Sequence, residues 1–285
     1  MALVGSYVAL VKLLTALFPI FALAFLRFAI AAAALLPWSR RSPGEPPLDR
    51  SESWQLFLQS FFGNFLFSIC MLWGVALTSA TAAGLVMSAL PVVVALLSAA
   101  LLRERITGRL LLAVLCAVAG IALVQLAKPA ASPASSEWLG DALVFGAVCC
   151  EALYVVIGKR LSATRTPMRV SAWINLWGLA LSAPLGLWQI ARTDLSAIAP
   201  RFWACLVFYS LAASVVAVAL WMTGLRRTAA GFAGVFTVAL PLSTTVVAVG
   251  VLGEHLTWAH AVALPCTVAA ILLAAWPAGR SVSAT

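Results

Sequence analysis

The sequence predicts an all-α membrane protein of ten transmembrane helices, arranged as two inverted five-helix repeats with both termini in the cytoplasm. Three observations carry this. Of 285 residues, 64% are apolar and 9% charged, against about 45–50% and 25% in ordinary soluble domains, and a soluble fold has no way to hide that much apolar surface. The apolar residues fall into ten runs near the roughly 20 residues that a bilayer core requires. The stretch ALPVVVALLSAALLRERITG at 89–108 returns as ALPLSTTVVAVGVLGEHLTW at 239–258, 150 residues later.

The ten segments are 2–17, 19–38, 53–77, 80–102, 107–127, 138–158, 169–190, 201–225, 229–252 and 257–277. The first is short and has neither the basic start nor the small-residue site of a cleavable signal, so it reads as a transmembrane helix. Segment 2 ends in the Pro- and charge-rich PWSRRSPGEPPLDRSES, and segment 5 in the flexible linker AKPAASPASSE. The linker divides the chain into a first repeat over 1–127, a connection over 128–137, a second repeat over 138–277 and a cytoplasmic tail over 278–285. Thr107 and Thr257 each precede an apolar run, where a helix N-cap is expected.

Orientation follows from charge. Of the 18 Lys and Arg residues, 13 lie after even-numbered segments: Arg40, Arg41 and Arg50; Arg103, Arg105 and Arg109; Lys159, Arg160, Arg165 and Arg169; Arg226 and Arg227; and Arg280. The loops after odd-numbered segments hold three, Lys128, Arg192 and Arg201. Basic residues stay cytoplasmic, so both termini are inside. Trp38, Trp54, Trp138, Trp188, Trp203, Trp258 and Trp276 fall near helix ends, as interfacial anchors do. The short basic clusters between apolar runs exclude the nucleic-acid reading that the excess of Lys and Arg would otherwise invite. The six cysteines show no CxxC or Cys/His metal spacing. They read as small core residues, and no cofactor or metal is expected.

A shift of 150 aligns Thr78–Leu123 with Thr228–Leu273 without gaps, with 16 identities in 46 positions, among them Gly84/Gly234, Pro91/Pro241, Glu104/Glu254 and Thr107/Thr257. YVALVK at 7–12 echoes YVVIGK at 154–159 at a slightly different shift. A repeat of five helices is odd, so the second copy crosses the membrane in the opposite sense. Inverted repeats serve secondary transporters by exchanging which side is open. Arg103 and Arg105 stand where the second copy has Gly253 and His255, as expected if only the first copy's helix end faces the cytoplasm.

These residues resemble the drug/metabolite transporter superfamily, specifically its EamA-type ten-helix exporters, through GSYVALVK at 5–12, LAFLRFAIAAAALLP at 23–37 and the paired LP…E..T phrases. The resemblance covers essentially the whole chain. It departs at Val4, where a Trp is usual, and in the late start of the first helix. It implies an exporter, linked to protons or another gradient, in a bacterial inner membrane. Its partners would be membrane lipid, protons and a small-molecule substrate: an amino acid, aromatic or neutral, or a related toxic compound. A passive facilitator and a multidrug exporter are the alternatives. A membrane-embedded enzyme would need a clustered constellation such as HExxH, and the sequence has none.

Pro91 and Pro241, read as near the middles of segments 4 and 9, are candidate hinges, with a static kink as the plainer role. Gly84 and Gly234 suit close helix packing. Glu151 lies about 13 residues into segment 6, roughly 20 Å along the axis. A carboxylate at that depth must face an aqueous cavity, find a partner or take a proton, so it is the candidate coupling residue, with a structural tie as the alternative. Arg27 is the second intramembrane charge and a candidate partner, since the two depths differ by about 7 Å; the resemblance gives it a structural role as readily as a substrate role. Lys12 suits snorkelling. Glu104 and Glu254 read as helix-terminus or interhelix contacts. Candidate lining residues in the first half are Tyr7, Asn64, Ser68, Trp73 and Ser88. In the second half they are Tyr154, Trp177, Tyr209, Ser214 and Thr237, with packing as the plainer role for each. His255 and His260 read as surface residues.

Overall fold

The bilayer core offers no water to backbone N–H and C=O groups, and helices pair those groups locally. In a computed structural model, which describes residues 14, 15, 17–40, 47–78, 83, 86–126, 137–196, 198–239 and 258–275, every regular element is helical. Helix α1 is Ile20–Ser39. Helix α2 covers 50–77, α-helical over Arg50–Ser60 and Phe67–Leu77 with a π-helical turn over Phe61–Leu66 between them. Then come α3 (Leu90–Leu102), α4 (Gly108–Leu126), α5 (Glu137–Thr164) and α6 (Pro167–Ile190). Helix α7 covers 200–227 and repeats the make-up of α2: Pro200–Ser210, a π turn over Leu211–Val216, then Ala217–Arg227. Helix α8 is Ala230–Val235, tightening into a 3₁₀ turn over Phe236–Val238, and α9 is Trp258–Ala275.

Five of these helices are long and apolar enough to cross a membrane, and α3 and most of α4 are shorter apolar helices. Segments 2, 3, 5, 7, 8 and 10 are helices over nearly the spans read from hydropathy, whereas segment 6 runs on to Thr164. Most of segment 1 lies outside the described residues. The starts have local causes. Asp49 and Glu52 form a reciprocal capping box at α2. Pro167 and Pro200 open α6 and α7 on the first turn, where a missing N–H costs nothing. Thr107 Oγ1 accepts from the Leu110 N–H at 3.2 Å, the N-cap contact the sequence predicts; Thr257 lies outside the described residues.

Segment 4 differs from the continuous helix expected over 80–102. A turn at Ser88 and Ala89 precedes α3, and Pro91 stands on the first turn of α3, not in mid-helix. The reason is steric: within a helix the proline ring would strike the carbonyl four residues back, whereas on the first turn it fits. The 3₁₀ turn over Phe236–Val238 falls at the corresponding place in segment 9. Pro241 itself is outside the described residues.

Helix α1 packs along α6, α9 along α4, the second half of α2 along α5, and α3 between α5 and α8. Gly178 lets α6 approach α1 closely, because a Cβ there would stand 2.8 Å from the Phe28 ring. Gly234 lets α8 approach Val94 in the same way; Gly84 is outside the described residues. The central apolar cluster joins Leu56, Val94, Val148, Val155, Ile174 and Met222 from five helices. Trp38, Trp54, Trp138 and Trp188 are exposed near helix ends, as interfacial anchors require.

One end of the bundle is tied by charged side chains on helix termini. Lys159 Nζ donates to Leu225 O at 2.6 Å and to Arg226 O at 3.4 Å, closing the C-terminus of α7. Arg160 donates to Leu101 O at the end of α3. Both cations meet the negative pole of a helix dipole. Glu104 does the converse: its carboxylate accepts from the N–H groups of Ala230 (2.8 Å) and Gly231 (3.0 Å), capping α8. This is a helix-terminus contact of the kind the sequence reading assigned to Glu104. Glu254 lies outside the described residues.

Helix α3 ends with Arg103 at φ 56°, in the left-handed region, while the Glu104 N–H reaches back to Ser98 O at 3.3 Å. That ending favours glycine, and the repeat has Gly253 at the matching position. A left-handed non-glycine residue costs about 1 kcal/mol. Arg103→Gly is therefore expected to stabilise the fold by up to about 1 kcal/mol, read as a higher thermal midpoint in detergent. No rise would remove backbone strain from the account of this position.

Candidate functional site

Glu151 and Tyr154 are three residues apart on α5, so the helix repeat puts both on one face. That face meets the π turn of α2, which carries Gly63; Arg27 stands on α1. The Tyr154 ring lies so close to Gly63 that a Cβ at residue 63 would overlap it. Glu151 lies deep among protein atoms but keeps accessible surface of its own. It has no hydrogen bond or ion pair among the described residues. Tyr154 has the same character and lies within electrostatic reach of both Glu151 and Arg27. Arg27 and Glu151 form no direct ion pair; the Arg27 guanidinium lies 4.4 Å from the centre of the Phe28 ring. Glu151 and Tyr154 thus place one anion and one phenol on a single face of α5 beside the π turn of α2, with the Arg27 cation on α1 within electrostatic reach of the phenol.

The walls are held by polar contacts at the two π turns, 150 residues apart. In each turn an N–H reaches five residues back, Phe67 to Phe62 O and Ala217 to Ala212 O. Such turns widen a helix and often mark functional positions. Helix α6 is tied to both: Ser60 Oγ donates to Ile174 O (3.0 Å), and Asn175 Nδ2 donates to Ser214 O (3.0 Å) and Ser171 O (2.7 Å). Gln59, fully buried, donates to the Tyr154 carbonyl at 3.3 Å, while its Oε1 has no partner. Gln59, Ser60, Gly63 and Asn175 were not among the sequence candidates. The available signal was an amide inside an apolar run, as in FLQSFF and WINLW.

Of the candidates, Glu151 and Tyr154 share one face of α5, with Asn64 on the adjoining π turn, where its Nδ2 donates to Ser60 Oγ (3.2 Å), while Arg27 on α1 lies within electrostatic reach of Tyr154. Trp177 packs edge-on to Phe57 at 5.1 Å and joins the same apolar cluster as Tyr154. Ser214 supplies a carbonyl to Asn175, as above. Tyr209 is buried in a different cluster with Leu14, Phe18 and Leu206. Ser88 is buried in the turn before α3, and Thr237 donates to Gly234 O at 2.7 Å. Ser68 is exposed and donates to Asn64 O at 2.5 Å; Trp73 is 60% exposed. Both lie on the exposed side of α2. Tyr7, Lys12 and His255 lie outside the described residues, as does the side chain of His260.

Comparison with known proteins follows the same outline. A profile described as the EamA-like transporter family matches residues 1–126 and 138–276. The chain is 33% identical over 275 residues to the uncharacterized transporter YetK of Bacillus subtilis (strain 168), covering 96% of this chain and 83% of that one. It is 24% identical to the uncharacterized transporter YyaM of the same organism, over 79% and 74% of the two chains. A solved crystal structure superposes with a TM-score of 0.77 over 96% of this chain and 93% of its own, at 21% identity, a likeness of fold.

Proposed function

The chain belongs to the EamA-like transporter family of the drug/metabolite transporter superfamily, and from that premise we propose that it is a secondary exporter of amino acids, aromatic or neutral, and of related toxic compounds. It would work by alternating access between two inverted five-helix repeats, with both termini in the cytoplasm of a bacterium whose inner membrane it spans. The observation that carries this reading is the deep, unpaired Glu151 on the same helix face as Tyr154, with Arg27 within electrostatic reach of that phenol. A zwitterionic amino acid has a carboxylate for Arg27, an ammonium for Glu151 and a side chain to lay against Tyr154. Glu151 can hold either a proton or the substrate's ammonium, not both at once. A carboxylate that alternates between them exchanges inward protons for outward substrate.

The architecture supports the alternating part. The π turns of α2 and α7 sit at the same place in their repeats. The pairs α1 with α6, α4 with α9 and α3 with α8 are corresponding segments that pack on each other, as expected around an internal two-fold axis. Proteoliposomes holding labelled neutral and aromatic amino acids test the whole reading. Accumulation against concentration under a pH gradient is the expected result. Downhill movement alone identifies a passive facilitator. No movement across the panel removes the amino-acid reading.

Arg27→Gln tests the carboxylate contact. A charge-assisted hydrogen bond is worth about 1.5–3 kcal/mol, so KM for amino acids should rise by roughly ten- to a hundredfold. Transport of the matching amines, which have no carboxylate, should change little. An equal loss for both would make Arg27 structural.

A further inference from the structure

Away from Glu151 and Tyr154, a groove of about 320 Å³ runs between α7, α8 and α9, lined by Leu220, Gly224 and Thr228 with Ala233, Phe236 and Ile271 opposite. Its wall is apolar apart from Thr228. Leu220, Gly224 and Arg227 follow one another at spacings of four and three, so they share one face of α7. Gly224 leaves the groove open, since a Cβ there would meet no atom within 4 Å. Arg226 and Arg227 are exposed at its end. The helix terminus does not consume their charge, because Lys159 already closes the α7 carbonyls Leu225 O and Arg226 O. Neither guanidinium meets a carboxylate among the described residues.

We propose that this groove is a binding site for an anionic glycerophospholipid, with an acyl chain between α7, α8 and α9 and the headgroup phosphate on Arg227 and Arg226. The inference rests on these helices spanning a bilayer, and not on the substrate or the coupling reading. A mainly apolar groove between three helices of a membrane protein suits hydrocarbon better than water. Where that hydrocarbon ends, the headgroup phosphate lies, and the paired guanidiniums match it in charge and in bidentate geometry. A free phosphate would satisfy the arginines and leave the groove without an occupant. A purely topological role for the two arginines would need their charge and not the groove.

The full-length chain in neutral detergent, titrated with phosphatidylglycerol, phosphatidylcholine or inorganic phosphate, tests this by native mass spectrometry and thermal unfolding. Phosphatidylglycerol should be retained and should raise the midpoint more than phosphatidylcholine, and inorganic phosphate should do neither. Gly224→Leu, which fills the groove from its open side, should lower retention of both lipids. Arg226→Gln with Arg227→Gln, on the exposed surface, should cut the preference for phosphatidylglycerol by about tenfold while leaving phosphatidylcholine binding as it was. Replacing both by Lys keeps the charge that directs insertion but should still weaken the preference, because an ammonium cannot grip phosphate through two parallel bonds. Equal binding of the two lipids by the unaltered protein would overturn the proposal. So would retention unchanged by Gly224→Leu, or the same stabilisation from inorganic phosphate.

Discussion

Glu151→Gln is expected to abolish accumulation driven by a pH gradient while leaving exchange of labelled for unlabelled solute within a few fold of its original rate. The two side chains are nearly isosteric, so packing on α5 beside Ala152 and Val155, both buried, should persist. The carboxamide cannot take up or give up a proton. One proton exchanged per solute across one pH unit supplies about 1.4 kcal/mol, enough for about tenfold accumulation. The variant should show none of it. Exchange at saturating solute needs only a site that binds and reorients: losing the ammonium's charged partner should raise KM, while the amide still accepts a hydrogen bond and the maximal exchange rate should hold. If accumulation in the variant keeps its dependence on the pH gradient, Glu151 is not the coupling group. If exchange also disappears and the thermal midpoint falls, the residue is structural. Tyr154→Phe separates the neighbour from the coupler: removing the hydroxyl should alter affinity and leave the pH-driven ratio intact.

The helices were legible because lipid imposes a coarse rule on sequence: long apolar runs, with charge between them. That rule places α1, α2, α6 and α7 almost to the residue. It says nothing about helix phase, and phase decides the lining of a cavity. A π turn adds a residue to the helix and turns everything after it by about 100°, with no trace in hydropathy. Ser68 and Trp73 follow the π turn of α2, and both face outward. Arg27 and Glu151 were legible as charges at similar depth because rise per residue fixes depth. Their lack of a direct ion pair was not, because it depends on how α1 and α5 are rotated, and Phe28 takes the face of the guanidinium. The repeat offset of 150 was visible in Gly, Pro, Glu and Thr. The residues that tie α6 to both π turns, Ser60 and Asn175, escape it because their contacts are long-range and involve backbone carbonyls, which no sequence pattern displays.

Glu52→Ala is the substitution expected to cost the fold most. Glu52 forms an ion pair with Arg165 across 113 positions of sequence, using both oxygens, and also caps the Asp49 N–H at 3.1 Å. Arg165 is 4% exposed and Glu52 18%, so the pair is largely out of water. Arg165 further donates to Pro47 O at 2.9 Å, fastening the segment before α2 to the end of α5. Removing the carboxylate leaves a buried guanidinium without its counter-charge, and breaking a buried pair costs about 3–5 kcal/mol. The partial exposure of Glu52 argues for the lower part of that range, and loss of the cap adds about 1 kcal/mol. Arg165→Met alone should cost less, because it removes the buried charge together with its salt bridge. With both replaced, Glu52→Leu and Arg165→Met, much of the loss should return, since an apolar pair of similar volume carries no desolvation penalty. Unfolding free energies of the unaltered protein, Glu52→Leu, Arg165→Met and the double variant form a cycle whose interaction energy should exceed about 2 kcal/mol. A cycle near zero would mean that the contact holds position without contributing strength. Transport by the double variant then separates two roles: normal activity makes the pair a fastening of α2 to α5, whereas a stable but inactive protein makes it part of the moving joint.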